Sequence, residues 1–140
     1  MKKKSNRAEP FIATREHHLS ETAEDYVEII YDIISLKGEA RTCEIAEQLG
    51  VTHVTVIHAL ERLKKKGFIH LPPHQPLTLT EDGIKLAVFS KNRHQFLLKY
   101  LIALGVPEKI AAIDVEGMEH HISQATIDAF KKHLEKLHNI

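Results

Sequence analysis

Apolar residues recur at helical spacing along most of this chain, and the interruptions are as informative as the runs. In residues 19–37, Val27, Ile30, Tyr31 and Ile34 fall three and four apart. Ser20 or Thr22 can cap the start and Gly38 stops the run, which predicts an amphipathic helix. Ile45, Ala46 and Leu49 predict a short second helix ended by Gly50. Thr52 can cap a third, with Val56, Leu60 and Leu63 facing inward and Gly67 closing it. The short apolar segments 68–71 and 77–80 flank Pro72, Pro73, His74, Gln75 and Pro76. Proline is excluded from central strands, so the expectation is a two-stranded edge hairpin with a rigid tip.

Thr80-Glu81-Asp82-Gly83 opens a long helix running to about Leu104, ended by Gly105. Its apolar Ile84, Leu86, Ala87, Phe96, Leu97, Leu98 and Leu101 are too many for one internal seam. Pro107 starts the next helix, through Ile110, Ile113 and Val115, at the position proline tolerates best. Ser123 caps a last helix striped by Ile127, Phe130, Leu134 and Leu137. These C-terminal helices are short and need a partner surface, which a helical homodimer supplies most simply. Residues 1–18 show no periodicity and read as a flexible basic arm. The fold class is therefore mainly α, with an N-terminal winged helix-turn-helix over 19–80 and a C-terminal helical dimerisation domain over 81–140.

The helix-turn-helix assignment rests on spacing. A small residue at Ala46 lets two helices approach closely, Gly50 supplies the turn four residues later, and a β-branched apolar residue follows six beyond. That leaves Thr52, His53, Thr55 and His58 outward on the second helix, with Val54 and Ile57 beside them. Hydroxyls and imidazoles can read base edges or phosphates, and Val54 can meet a thymine methyl. Arg62, Lys64 and Lys65 follow as phosphate partners.

Composition adds mainly exclusions. The formal net charge is zero over 140 residues, so only its distribution says anything about partners. Residues 1–15 and 61–66 are basic, whereas residues 16–37 are acidic. A single cysteine, Cys43, excludes an internal disulfide and fits a reducing compartment. No apolar run reaches the length of a membrane span, and no apolar core follows the charged N-terminus as a secretion signal would require. The expectation is a cytoplasmic protein with no membrane partner.

The chemistry concentrates in Asp114-Val115-Glu116-Gly117-Met118-Glu119-His120-His121-Ile122-Ser123. If this stretch is helical, Glu116, Glu119 and His120 stand at i, i+3 and i+4 and converge on one face. Two carboxylates and an imidazole so placed repel and desolvate one another unless a cation or strong donors sit among them. Oxygen-rich ligation with one or two imidazoles suits a harder divalent ion such as Mn²⁺, with Fe²⁺ or Zn²⁺ as competitors. The bland alternative is a solvated helix face. Asp25 and Glu28 share one face of the first helix, where an acidic helix start is the equally simple reading. His94 sits within the basic cluster Lys91-Asn92-Arg93, which by itself does not mark a ligand.

The winged helix followed by this acidic motif resembles the manganese transport regulators of the diphtheria toxin repressor family. The resemblance runs from about Ser20 to about Phe130. It is carried by the acidic motif and by the segments Glu24-Asp25-Tyr26-Val27-Glu28 and Lys91-Asn92-Arg93-His94-Gln95. It implies that Asp25, Glu28, His94, Glu116, Glu119 and His120 bind a pair of manganese ions in each subunit. It also implies dimerisation through the C-terminal helices and metal-dependent repression of uptake genes at palindromic, double-stranded operator DNA. The chain departs from its relatives at His53-Val54-Thr55, at His58 and at Pro72-Pro73-His74.

No enzyme is expected. A dinuclear carboxylate metalloenzyme wants two Glu-x-x-His pairs, and a zinc hydrolase wants His-x-x-Glu-His, where this chain has Glu116 at the first position. A winged-helix regulator sensing an organic ligand is the other alternative, and it leaves the acidic motif unexplained.

Overall fold

The computed structural model describes residues 6–139, and residues 16–20 by their backbone alone. The elements run α1 (Ala8–Lys37), α2 (Thr42–Leu49), α3 (His53–Lys65), β1 (Ile69–His70), β2 (Thr78–Leu79), α4 (Glu81–Ala103), α5 (Glu108–Met118) and α6 (Gln124–His138). They fall into two compact units. One holds residues 21–91; the other holds the residues from Asn92 onward together with those before Glu21.

The helix α1 begins at Ala8, well before Leu19, so residues 8–18, expected as a mobile arm, are helical. Lys2, Lys3 and Lys4 of that expected arm lie outside the described residues. The early start has a local cause. Glu9 complements the dipole in the first turn, and Pro10 sits where a missing N–H does no harm. Extending a helix already nucleated by packing costs far less than starting one. The buried stripe is Ala23, Tyr26, Val27, Ile30 and Ile33, while the expected Tyr31 and Ile34 are only partly buried.

Ile45 and Ala46 of α2 and Val56, Ala59, Leu60 and Leu63 of α3 close this core with Ile69, Leu77 and Ala87. Gly50 takes the left-handed conformation at φ 67°, and its N–H reaches back to the Ala46 and Glu47 carbonyls. The turn between α2 and α3 is thus the one the spacing requires. Thr52 caps α3, its hydroxyl accepting from the Thr55 N–H at 3.2 Å.

The hairpin is antiparallel, with Ile69 opposite Leu79 and His70 opposite Thr78. A lone bridge from Ala40 to Leu77, not signalled in the sequence, adds the loop after α1 to the same edge. Thr80 then starts α4. Its hydroxyl accepts from the Gly83 N–H at 3.1 Å and donates to the Gly67 carbonyl at 2.6 Å. Lys91 near the unit's end donates to Asp32 at 2.8 Å, tying α4 to α1. The Asp32 carboxylate holds the Lys91 ammonium above its ordinary pKa.

In the second unit, Leu97 and Tyr100 of α4, Ala111 and Val115 of α5, and Ile127 and Leu134 of α6 are buried. Tyr100 stacks on Phe130 with ring centroids 4.6 Å apart, and its hydroxyl meets His133 Nδ1 at 2.9 Å. Gly105, at φ 101°, ends α4, and Ser123 caps α6 as expected, accepting from the Thr126 N–H. Ile110 and Ile113 of α5 remain exposed, Ile113 by 74%, together with Ile102 and Leu104. An apolar set of that kind is what a dimerising surface leaves uncovered in a single subunit.

Candidate metal centre and DNA-reading face

The acidic motif begins in a helix and ends in a turn. Glu116 lies in the last turn of α5, Glu119 is its C-cap residue, and the chain turns at His120 and His121 before Ser123 opens α6. Helix α5 itself ends at Met118. Glu116 and Glu119 converge as their spacing predicts, and Glu119 still has right-handed helical dihedrals at φ -59° and ψ -29°. The His120 imidazole lies beside the Glu119 oxygen that does not face His94.

The distances define a compact centre. His94 Nδ1 lies 2.7 Å from Glu119 Oε2 and 3.7 Å from Glu116 Oε1. His120 Nε2 lies 3.2 Å from Glu119 Oε1. One ligand atom each from His94, Glu116 and Glu119 falls within 4.8 Å of the others. Glu119 is only 1% exposed, whereas the Glu116 side chain is 66% exposed. The centre thus has a buried floor and an open rim.

Burying a carboxylate is costly unless positive charge or strong donors compensate it. Glu119 meets this cost in part through the hydrogen bond to His94 Nδ1 at one oxygen, with His120 Nε2 3.2 Å from the other. The same arrangement is a donor set of nitrogen and oxygen without sulfur, which fits a divalent cation of the harder kind. Arg93 Nη2 stands 3.4 Å from His120 Nδ1 and so fixes the orientation of that ring from behind. Arg93 was visible in the sequence only as part of a basic cluster; its supporting position depends on the fold.

Asp25 and Glu28 belong to the other unit, on α1, three residues apart and partly buried. Glu21, one turn before Asp25, is also partly buried and extends the same acidic face. The sequence signalled it only as one acid among several.

All seven residues expected to meet DNA are exposed: Thr52, His53, Thr55 and His58 at the start and middle of α3, then Arg62, Lys64 and Lys65. Thr52 and Thr55 are not independent, because their hydroxyls hydrogen-bond each other at 2.8 Å. Between the polar positions, Val54 is 61% exposed and Ile57 is also exposed. Burial pushes the Tyr26 phenol above its usual pKa, an effect that the Arg62 guanidinium opposes.

Comparison with known proteins converges on one group. Residues 18–77 match the iron dependent repressor N-terminal DNA binding domain, and residues 80–139 match the iron dependent repressor metal binding and dimerisation domain. The transcriptional regulator MntR of Salmonella typhimurium is 48% identical over 122 residues, spanning 87% of this chain and 78% of that protein. The HTH-type transcriptional regulator MntR of Bacillus subtilis is 39% identical over 105 residues, spanning 75% of this chain and 74% of its own. Among solved structures, the metal-dependent transcriptional regulator MtsR superposes with a TM-score of 0.75 at 24% identity, over 83% of this chain and 54% of that one. A manganese-dependent transcriptional repressor in complex with manganese gives 0.70 at 25% identity, over 81% and 52%. The chain spans about half the length of these solved relatives.

Proposed function

The chain belongs to the iron-dependent repressor family, and from that premise we propose that it is a Mn²⁺-responsive transcriptional repressor. It binds palindromic operator DNA as a homodimer when metal is bound, and represses metal-uptake genes. The observation that carries this reading is the buried Glu119 carboxylate, whose oxygens face His94 and His120 on the same chain as a capped recognition helix.

His94, Glu116, Glu119 and His120 would hold metal from the C-terminal unit, and Asp25 and Glu28 from α1. Glu119, facing one imidazole with each oxygen, is suited to serve two ions, giving two per subunit. The ions supply positive charge that cancels repulsion among the carboxylates. Manganese is the favoured ion because the donors are carboxylates and imidazoles; Fe²⁺ and Zn²⁺ compete for such sites. The metal-loaded conformation is one the apo protein populates less, and that difference is what DNA affinity reads. Thr52, His53, Thr55 and His58 serve bases and nearby backbone, while Arg62, Lys64 and Lys65 serve phosphates. Two half-sites of a palindrome match the two recognition helices of a dimer. No helix among the described residues is long and apolar enough to cross a membrane, consistent with a cytoplasmic regulator.

The test is DNA binding measured by fluorescence anisotropy on a palindromic duplex selected from a random pool by the Mn²⁺-loaded protein. Saturating Mn²⁺ should tighten binding by about tenfold to a hundredfold relative to chelator, the range of ordinary allosteric coupling. Equal affinity in both conditions would remove the metal-sensor reading and favour an organic-ligand regulator.

A further inference from the structure

We propose that the wing grips the DNA backbone through His74, by a contact made when its imidazole is protonated and lost when it is neutral. The inference rests on the repressor reading above and adds a pH-dependent DNA contact to it.

Among the described residues, His74 is the one non-glycine residue with positive φ, at 58°. That conformation is disfavoured for any residue with a Cβ and persists only where its surroundings impose it. Pro72 and Pro73 precede it, Pro76 closes the tip, and the Gln75 N–H donates to the Pro72 carbonyl at 3.4 Å. The tip is therefore shaped before any partner arrives. Its imidazole is exposed, and among the described residues no hydrogen bond or ion pair holds it. Glycine or asparagine would occupy such a turn with less strain. A histidine there places an unengaged ring at the end of a stiff support.

The surroundings favour a phosphate as its partner. The hairpin leaves α3 directly after its basic end, and Lys64, His70, Pro72 and Pro73 line an open cleft of about 480 Å³ between them. On the hairpin's other side, Tyr31 and Glu39 line a second cleft with Gln75 and Pro76. The titratable and charged groups that line these clefts are Lys64 and His70 in the first and Tyr31 and Glu39 in the second. A phosphate held at Lys64 would lie at the same cleft that Pro72 and Pro73, the residues leading into His74, also line. The tip has no Lys or Arg. An imidazole changes charge between about pH 5 and pH 8, and only the protonated ring brings a full charge and two donors to a phosphate.

The experiment compares wild type, His74→Gly and His74→Lys, each saturated with Mn²⁺, on the selected palindromic duplex at about pH 6 and about pH 8. Glycine keeps the backbone conformation and removes the ring; lysine supplies charge at both pH values. At the lower pH, His74→Gly should bind about two- to fivefold more weakly than wild type, the scale of one exposed ion pair. Its log–log salt slope should be shallower by about one. At the higher pH, wild type and His74→Gly should coincide, and His74→Lys should keep the stronger binding. His53, His58, His70 and the metal ligands are present in all three proteins, so their own titrations cancel in the comparison. Equal affinity and slope for wild type and His74→Gly at the lower pH would overturn the proposal, as would a deficit that is the same at both. A further wild-type titration in chelator keeps the two readings apart: equal affinity with and without Mn²⁺ would count against the repressor reading on which the proposal rests.

Discussion

Replacing Glu119 with glutamine or alanine should abolish metal-activated DNA binding while leaving a folded dimer. The carboxylate is buried, faces His94 with one oxygen and His120 with the other, and lies beside Glu116. Substituting a group that merely supports a ligand costs about ten- to a hundredfold in metal affinity, so losing a ligand at the centre should cost more. The fold has little reason to suffer. Removing a buried carboxylate removes its desolvation penalty, and glutamine keeps the volume. In wild type, Mn²⁺ at about a hundred times its dissociation constant should add about 2.7 kcal/mol of stability. In Glu119→Gln that thermal shift should vanish while the metal-free melting temperature stays the same or rises. A variant that unfolds without metal, or that still melts later with Mn²⁺, would show that Glu119 is structural. His120→Ala should lose metal activation as well.

The second large effect lies far from any ligand. Gly83→Ala should destabilise the protein by about 2–4 kcal/mol, the range for forcing atoms into a packed site that cannot relax. A Cβ at Gly83 would overlap the Phe68 carbonyl oxygen, which is backbone and already accepts the Thr80 N–H. Nor can the first turn of α4 back away cheaply, because Thr80 caps it and also holds the Gly67 carbonyl. For a chain of this length the melting temperature should fall by on the order of 10 °C. A melting temperature within a degree or two of wild type, measured calorimetrically, would mean that helix and strand do not approach so closely.

Legibility in the sequence followed how locally each feature is determined. The α2–α3 turn was readable because Ala46, Gly50 and Thr52 each do one local job at a fixed spacing. Ser123 and Thr80 were readable as caps for the same reason. The start of α1 was not readable. Nothing in residues 8–18 is periodic, and their helix extends one nucleated by the burial of Ala23 through Ile33. At the metal centre, the convergence of Glu116 and Glu119 followed from helical spacing. His94 could not be distinguished from a surface histidine without the fold that brings it 2.7 Å from Glu119, and only family resemblance singled it out. The bridge from Ala40 to Leu77 joins residues too far apart in sequence for any local signal.

The bond between Thr52 and Thr55 sets how much information the recognition helix can extract from DNA. Each hydroxyl has a single proton, and one of the two is spent in their mutual contact. Thr52 also accepts the Thr55 N–H, so the pair keeps a single hydroxyl proton to offer a base, on whichever threonine does not donate to the other. A hydroxyl that can rotate between donating and accepting discriminates poorly among bases, and a pair sharing one remaining donor discriminates less still. The apolar contact surface of Val54 and Ile57 has the opposite character, because a methyl group is either present at a base edge or absent. In an alignment of the protein's binding sites, the columns of highest information should therefore be thymines opposite Val54 and Ile57. Columns facing the two threonines should approach the genomic background.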